Sequence, residues 1–389
     1  MVTWVREISP AGRQKLIEIL QKSVAVEPER VTAWLSLGDL LLQTGRFAEA
    51  AAVLSDAAER LPTESEVRFL LADARRRLGD TDGAVAAMQT ALALVPHDDE
   101  KTMLRRFDFY VNARQWDRVA HDLDQAAAAA PTHAAVIFAY AHAARIGGDP
   151  AQLLSACENA LARQPSHTAA LHYKAVALAM LGRNPEACSV IGLDDFVRLD
   201  ELSVDHIGGA TFLDAVAGEI LHNPTLIPDR HRKATRDGFQ TTALMQPGDE
   251  AMPIFLEQIR SAVERYIEAL PNGPHAFSTA RPPRVRLDPW AVVYPQEGRQ
   301  ASHFHARGWI SGVAYIAAPR TDEQDKYRGP LVLGEVDNER LPDPPPWGTR
   351  EVEPVPGRIA LFPSFLPHAT RPSGLAARRI CVAFDVVPA

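Results

Sequence analysis

The chain has 389 residues, more than one ordinary hydrophobic core accommodates, so we expect two or three domains. Its hydrophobic content of 46% and charged content of 23% are typical of a soluble globular protein, and its formal charge of −8 disfavours nucleic acid as a partner. The sequence shows no apolar stretch of the about 18 residues that a membrane helix needs, no secretion signal and no C-x-x-C motif among its three cysteines. We therefore expect a cytoplasmic protein without a membrane or nucleic-acid partner.

The first half of the chain is internally repeated. Four glycines recur in the register of a 34-residue unit, with one residue inserted before the third repeat: Gly45, Gly79, Gly148 and Gly182. The same register is kept by small residues and prolines, namely Ala50, Ala84 and Ala187, then Ala57, Ala91, Ala126 and Ala160, then Pro28, Pro62, Pro96, Pro131 and Pro165. Small residues let two helices pack closely, Gly ends a helix in a left-handed turn and Pro stops the next helix, so the pattern predicts stacked helix pairs.

The best-matched unit resembles the tetratricopeptide repeat. The residues that carry this resemblance are Trp34, Leu37, Gly38, Leu41, Gly45, Ala50, Leu54, Ala57 and Pro62. Repeats that begin near residues 65, 100, 134 and 168 are similar but looser, and residues 10–28 predict a helix that leads into them. The resemblance implies an all-α solenoid over residues 1–191 whose concave face binds a protein or peptide; a purely structural or dimerising role is the alternative. Candidates for lining that face are Arg75, Tyr110, His142 and Tyr173.

The helical texture stops near Gly192, where short apolar runs begin to mix with turn residues. Residues 252–270 have apolar side chains at helical spacing and end at a Pro-Asn-Gly turn, which predicts an amphipathic helix that packs on a sheet. The apolar positions are Ile254, Leu256, Ile259, Val263 and Ile267. We assign residues 192–280 as a helical lead-in to a second domain over residues 192–389.

After Gly273 the pattern becomes typical of β-strands separated by Pro and Gly turns, in the runs VRLDPWAVVYP, GWISGVAYIA, GPLVLGE, GRIALFP and RICVAFDVV. This predicts a β sandwich or barrel over residues 281–389. Side chains two positions apart in an extended segment point the same way, so His303 and His305 are able to face one point. His368 follows a later predicted strand and Arg379 opens the last one. Imidazole suits iron in a facial set of three ligands, and the guanidinium fork of an arginine binds a carboxylate.

A resemblance to the bacterial and phage branch of the 2-oxoglutarate/Fe(II) oxygenases, and more distantly to prolyl hydroxylases, covers about residues 280–387. It is carried by the motifs W-A-V-V-Y-P, H-F-H, S-G-V-A-Y-I, G-R-I-A-L-F-P-S-F-L-P-H and R-R-I-C-V-A-F-D. It implies a double-stranded β-helix, or jelly roll, with flanking helices, in a multi-domain α + β chain. It also implies Fe(II), 2-oxoglutarate as co-substrate and O2. The residue roles that it implies are metal binding by His303 and His368, capture of the C5 carboxylate by Arg379 and Tyr315, and a co-substrate pocket lined by Tyr294, with Ser311 placed beside it.

Two residues depart from the family pattern. The acidic ligand two positions after the first histidine is here His305, and the serine that often follows the arginine is Cys381. H-x-H is a form that this branch commonly shows, so we expect His305 to complete a three-histidine site. The alternatives are that His305 is a hydrogen-bond donor behind a third ligand that is water or a carboxylate such as Glu335 or Asp337, or that it is structural.

The predicted function is a 2-oxoglutarate- and Fe(II)-dependent dioxygenase that hydroxylates a side chain of a protein or peptide presented by the repeats. The alternatives are a non-catalytic repeat scaffold with a degenerate β-helix, and a three-histidine dioxygenase of cupin type that does not use 2-oxoglutarate. We expect the remaining candidates to be ordinary core or loop residues: His206, His231, His275, Trp290 and Trp309.

Overall fold

A computed structural model describes residues 3–4, 10–95, 100–203, 207–228, 234–321, 326–338 and 340–389. The described residues from 10 to 130 form one compact unit, and those from 131 onward form the other, together with residues 3–4. The predicted boundary between residues 191 and 192 thus lies inside the second unit. His206, His231 and Pro96 lie outside the described residues.

The first unit is a run of helices. They are α1 (Pro10–Val26), α2 (Val31–Gln43), α3 (Phe47–Arg60), α4 (Ser65–Leu78), α5 (Thr81–Leu92), α6 (Glu100–Asn112) and α7 (Trp116–Ala129). The predicted leading helix is α1, and each later pair corresponds to one repeat. The small residues of the pattern are fully buried, as Ala50 and Ala57 of α3 show, because the neighbouring helix backbones approach closely there. The predicted solenoid of tetratricopeptide repeats is confirmed.

The turns within the repeats follow the glycine register with two exceptions. Gly45, Gly79 and Gly182 adopt left-handed conformations, with φ of 72°, 89° and 73°. In the third repeat the same position holds Arg114, which takes φ 58° despite its Cβ. In the fourth repeat the left-handed residue is Gly147 (φ 115°) and not the predicted Gly148, so the turn is shifted by one residue.

The second unit begins with four repeat helices and continues into shorter and longer ones. They are α8 (Ala134–Arg145), α9 (Pro150–Arg163), α10 (Thr168–Met180), α11 (Asn184–Ile191), α12 (Leu193–Phe196), α13 (Gly209–Leu221), α14 (Ala251–Glu268) and α15 (Ala276–Thr279). The predicted amphipathic helix is α14, which buries Ile259 and Val263 completely against α13 and the sheet. Ile254, predicted on its apolar face, is instead 46% exposed. None of the helices in the described ranges is long and apolar enough to cross a membrane.

The strands of the second unit form two principal sheets. In chain order they are β1 (Thr3–Trp4), β2 (Arg198–Glu201), β3 (Ile227–Pro228), β4 (Thr235–Arg236), β5 (Phe239–Gln240), β6 (Arg284–Tyr294), β7 (Arg299–His303), β8 (Ile310–Ala317), β9 (Arg320–Thr321), β10 (Lys326–Tyr327), β11 (Leu331–Leu333), β12 (Arg350–Val352), β13 (Arg358–Pro363), β14 (His368–Thr370) and β15 (Arg379–Pro388). The larger sheet has the order β2-β13-β8-β15-β6-β5-β3, with β1 paired to β6. The smaller sheet has the order β12-β11-β14-β7-β4, and β9 pairs with β10 alone.

The strand order is that of a jelly roll. Strands β6, β8, β13 and β15 lie in the larger sheet, whereas β7, β11, β12 and β14 lie in the smaller one, so the chain passes repeatedly from one sheet to the other. Neighbouring strands of each sheet are antiparallel throughout this core. This confirms the predicted double-stranded β-helix with flanking helices. One face of the smaller sheet and one face of the larger sheet line a common cavity.

Candidate metal centre

Strand pairing in the smaller sheet brings two histidines together. His303 ends β7 and His368 begins β14, and these two residues are direct partners in the antiparallel ladder. Cross-strand partners have their Cβ atoms close together on one face, and the two ring centroids are 4.3 Å apart. The pairing of β7 with β14 therefore brings together two residues that are 65 positions apart in the sequence.

His305 completes a cluster of three imidazoles. Its backbone N–H donates to the Ser364 carbonyl at 2.9 Å, and its ring centroid lies 5.1 Å from that of His303 and 5.0 Å from that of His368. One ring nitrogen from each histidine lies within 4.8 Å of the others. Among the described residues this is the only group of three His, Cys, Asp or Glu side chains that is arranged to hold a metal ion.

The hydrogen bonds of the rings leave one nitrogen of each free. Nδ1 of His303 donates to the Ala301 carbonyl at 2.9 Å, and Nδ1 of His368 donates to the Leu366 carbonyl at 3.0 Å. Nδ1 of His305 donates to Oδ1 of Asp385 at 2.5 Å. Carbonyl and carboxylate oxygens only accept, so each proton sits on Nδ1 and each Nε2 keeps its lone pair for a metal.

Burial keeps two of the imidazoles neutral. Burial, with a smaller contribution from the neighbouring His305, lowers the pKa of His303 to about 3. Burial also places the pKa of His368 well below its usual value, with smaller contributions from His303 and His305. Since only the neutral ring binds a metal, both are in the ligand form at pH 7.

The far end of the cavity carries a buried guanidinium. Arg379 is 2% exposed, and its Nη1 donates to the carbonyls of Gly329 and Arg371. Its Cζ lies 4.2 Å from the ring centroid of Tyr294. Nη2 is buried and has no hydrogen-bond partner in the described part of the chain. A buried donor without a partner fits a ligand with an acceptor, and a carboxylate matches the charge and the fork.

Other predicted co-substrate residues divide between the two ends of the cavity. Tyr294, Tyr315 and Cys381 line it together with Arg379. Burial raises the pKa of both phenols above the usual value and that of the Cys381 thiol to about 11, so all three keep their protons at pH 7. Ser311, expected beside the co-substrate, lies instead at the histidine end, where its Oγ donates to Asp385 at 2.6 Å.

The alternative acidic ligands lie outside the cluster. Glu335 forms a salt bridge with Arg371, and Nη1 of Arg371 donates to its Oε1 at 3.0 Å. Asp337 is exposed. Three residues were expected to be ordinary core or loop residues. Trp309 is a buried core residue and His275 caps α15. Trp290 instead lines the cavity, with its ring centroid 5.6 Å from that of His305.

Helix α10 contacts both segments that carry the histidines. The His172 ring stacks on Phe304, between His303 and His305, with ring centroids 3.9 Å apart and planes inclined by 15°. His172 Nδ1 donates to the Phe365 carbonyl at 3.0 Å, just before His368, and Thr168 Oγ1 donates to the Gly308 carbonyl at 2.8 Å. A repeat helix therefore holds the two loops at the metal centre in place.

Sequence reasoning missed Asp385, Trp290 and His172. The sequence holds part of the signal for Asp385: it lies six residues after Arg379 in one strand, and this even spacing puts both side chains on the same face. Trp290 likewise shares a face of β6 with Tyr294. His172 has no such signal, because its contacts join residues that are far apart in sequence.

Three solved structures illustrate what the chain is similar to. A prolyl-4-hydroxylase from Pseudomonas putida is 18% identical and matches 52% of this chain and 98% of its own, with a TM-score of 0.35. A prolyl hydroxylase from Trichoplax adhaerens, in complex with a peptide fragment of the hypoxia inducible factor oxygen degradation domain, is 12% identical, with coverages of 54% and 92% and a TM-score of 0.34. YrrB, a tetratricopeptide repeat protein with an unusual peptide-binding site, is 15% identical, with coverages of 45% and 90% and a TM-score of 0.36.

Family models match both parts of the chain. Residues 14–65 and 38–99 match the tetratricopeptide repeat, and residues 288–385 match a family described as "Putative 2OG-Fe(II) oxygenase". A comparison with curated proteins found no match. The second matched range contains all three clustered histidines and Arg379. The chain thus combines tetratricopeptide repeats with a domain of the 2-oxoglutarate/Fe(II) oxygenase family.

Proposed function

We propose that this protein is a 2-oxoglutarate- and Fe(II)-dependent dioxygenase that hydroxylates a side chain of a protein or peptide held by its repeats. The observation that carries the proposal is one cavity with two complementary ends. Three imidazoles with free Nε2 atoms lie at one end, and a buried guanidinium with an unpartnered Nη2 lies at the other. A metal ion and a dicarboxylate are the ligands that such ends recognise.

His303, His305 and His368 would bind the iron through Nε2. Three protein ligands from one side leave the opposite side open for co-substrate and dioxygen. When bound, iron and 2-oxoglutarate supply the oxidising chemistry, in which dioxygen is consumed and 2-oxoglutarate is decarboxylated to succinate. The protein residues contribute ligand geometry and a largely buried cavity that limits access of water.

Arg379 would bind the C5 carboxylate through Nη2, while its Nη1 stays fixed on two backbone carbonyls. Tyr315 keeps its phenol proton and is able to donate to the same carboxylate. Tyr294 stacks beneath the guanidinium and fixes its plane. The weaker thiol donor Cys381 stands where the family often has a serine, so we expect somewhat weaker binding of 2-oxoglutarate than a hydroxyl would give.

The repeat helices support a protein or peptide as the class of substrate. Helices α8 to α11 belong to the same compact unit as the metal centre, and α10 contacts the H-x-H segment directly. Two half-buried aromatic side chains of these helices, Phe138 and Tyr173, lie next to Phe304. Their ring centroids are 6.3 and 5.5 Å from the centroid of the Phe304 ring. This arrangement supports a peptide that reaches the metal from the repeats.

The test is formation of succinate from 2-oxoglutarate by the full-length protein with added Fe(II). We expect iron-dependent succinate in the wild type and none with His303→Ala. A bound protein or peptide should gain one oxygen atom in mass. Absence of succinate would favour a non-catalytic scaffold, and substrate oxidation without consumption of 2-oxoglutarate would favour the cupin-type alternative; either result would overturn the proposal.

A further inference from the structure

The acidic metal ligand of the family is missing from this chain, but a carboxylate stands directly behind its replacement. Oδ1 of Asp385 accepts a hydrogen bond from Nδ1 of His305 at 2.5 Å and another from Ser311 Oγ at 2.6 Å. The other two clustered imidazoles, His303 and His368, donate to backbone carbonyls, which carry no formal charge. Only the third imidazole of the cluster is thus paired with an anion.

The position of Asp385 is fixed by the sheet and by a chain of hydroxyl groups. Asp385 of β15 is the direct ladder partner of Ser311 in β8. The Ser311 and Ser364 hydroxyls are 2.8 Å apart, and the Ser364 carbonyl accepts the backbone N–H of His305. His305 is thereby held at its backbone by the same residue that supports the partner of its ring.

The carboxylate is also shielded from water. The side chains of His305 and Asp385 are 16% and 14% exposed. The backbone at Gly308 closes over them, since a Cβ there would lie 2.3 Å from Ser364 Oγ and 3.3 Å from Asp385 Cγ. Charges interact more strongly where water is excluded, so this hydrogen bond is stronger than an exposed one.

We propose that Asp385 is a positioning residue that supplies, through the His305 ring, the negative charge that the family's acidic ligand supplies directly. The inference rests on the proposed function. A carboxylate behind an imidazole fixes its orientation and makes Nε2 more electron-rich. Three neutral imidazoles and one carboxylate carry the same net charge as two imidazoles and one carboxylate ligand. Asp385 acts from behind the ring, because its Oδ1 already accepts two hydrogen bonds and it lies outside the ligand cluster.

The first test is Zn(II) affinity of the full-length protein, measured by competition with a chelating dye, because Zn(II) binds imidazole without redox chemistry. We expect Asp385→Asn to weaken binding about 10- to 100-fold, the range for loss of such supporting groups. Asp288→Asn is the matched control, because Asp288 is the exposed ladder partner of Asp385 on β6 and should leave the affinity unchanged. Equal affinities of wild type and Asp385→Asn would overturn the inference while the proposed function stands. Failure of the wild type to bind Zn(II) at the histidines would instead contradict the proposed function.

Two further measurements guard against a variant that merely folds poorly. The double substitution His305→Asp with Asp385→Asn moves the carboxylate to the ligand position, and we expect it to restore most of the affinity that Asp385→Asn loses. In the Zn(II)-loaded wild type, labelled with 15N in its histidines, the Nδ1 proton of His305 should resonate furthest downfield of the three ligand rings, since only it bonds a carboxylate. A double variant no better than the single one, or a His305 proton no further downfield than those of His303 and His368, would contradict the proposal.

Discussion

Arg379 carries a buried charge whose hydrogen-bond partners among the described residues are two carbonyl oxygens, both on Nη1. If Nη2 binds the C5 carboxylate of 2-oxoglutarate, then Arg379→Ala removes a charge-assisted hydrogen bond worth about 3 kcal/mol, or roughly a hundredfold in affinity. Arg379→Lys keeps the charge but loses the fork, so we expect an intermediate loss. The measurement is calorimetric titration of 2-oxoglutarate into Zn(II)-loaded protein.

The neighbouring Arg378 provides the control for this prediction. It is exposed, whereas Arg379 is buried, and the two differ by one position in the same strand region. Arg378→Ala should bind 2-oxoglutarate like the wild type. Similar losses in the two alanine variants would show that general positive charge, and not the guanidinium in the cavity, attracts the co-substrate.

His172 gives the protein a defined sensitivity to acid. Burial lowers its pKa to about 4, although its hydrogen bond to the Phe365 carbonyl opposes the shift. In the unfolded chain the His172 imidazole has a pKa near 6.5. Between pH 6.5 and 4 the unfolded chain therefore binds a proton at His172 that the folded protein does not bind. The stability due to neutral His172 is therefore complete above pH 6.5 and falls as the pH drops toward 4.

The variant His172→Asn keeps a donor for the Phe365 carbonyl but does not titrate. Between pH 7.5 and pH 5, the metal-free wild type should lose about 2 kcal/mol more unfolding free energy than this variant, as measured by urea denaturation. Burial, the largest cause of the lowered pKa of His303 and His368, is common to both proteins, so its contribution cancels in the difference. Equal losses would mean that His172 is accessible to protons in the folded state.

Single-residue roles were predictable from the sequence where a motif fixes both residue type and spacing. The H-x-H motif, His368 and Arg379 are of this kind, and the structure brings them to one cavity. Asp385 was not singled out, although it lies in the same motif as Arg379, because its role depends on which strand pairs with β15 and in which register. Pairing across a sheet is not encoded in local spacing.

At the level of the helix pairs, the glycine register makes a paired prediction. Gly79 ends α4 in a left-handed conformation, where a Cβ costs about 1 kcal/mol, so Gly79→Ala should lower the unfolding free energy of the first unit by about that amount. Arg114 occupies the equivalent turn with φ 58°. Arg114→Gly should therefore leave stability unchanged or raise it, because relief of the strain offsets the greater flexibility of the unfolded chain.

Thermal or urea denaturation of both variants measures these opposite effects. Destabilisation by Arg114→Gly as large as that by Gly79→Ala would show that the arginine side chain stabilises its turn in another way.

The same glycine register shows which features of the repeats are predictable from the sequence alone. The 34-residue period located the helix pairs, but it placed one turn at Gly148 where the structure has Gly147, because an adjacent pair of glycines offers two equally suitable residues.

On the scale of the whole molecule, the helices nearest the β-helix are part of the unit that contains the metal centre. Apart from residues 3–4, the second unit starts at residue 131, and α10 holds the loops around Phe304 and Phe365. We therefore expect a chain that begins at residue 131 to fold and bind Zn(II), whereas one that begins at residue 192 should lose affinity or aggregate. Zn(II) titration and size-exclusion chromatography of the two fragments measure this.

The sequence placed the domain boundary at residue 191 because the repeat pattern ends there. The contacts that extend the second unit back to residue 131 join residues that are more than 130 positions apart, such as the Thr168 hydroxyl with the Gly308 carbonyl and the Arg340 guanidinium with the Gly148 carbonyl. A periodic pattern predicts the structure of each repeat but not the surface on which the last repeats pack.

For the two fragments, full Zn(II) affinity in the chain that begins at residue 192 would contradict the prediction, because α8 to α11 would then be dispensable for the metal centre.

The central claim is that iron and 2-oxoglutarate bind together in one cavity. Anaerobic addition of Fe(II) and 2-oxoglutarate should produce the weak visible charge-transfer band of the chelate in the wild type. The band should be absent in His303→Ala, which lacks a ligand, and weakened in Arg379→Ala at the same 2-oxoglutarate concentration. Iron binding without any band, or a band of equal intensity in His303→Ala, would contradict the account.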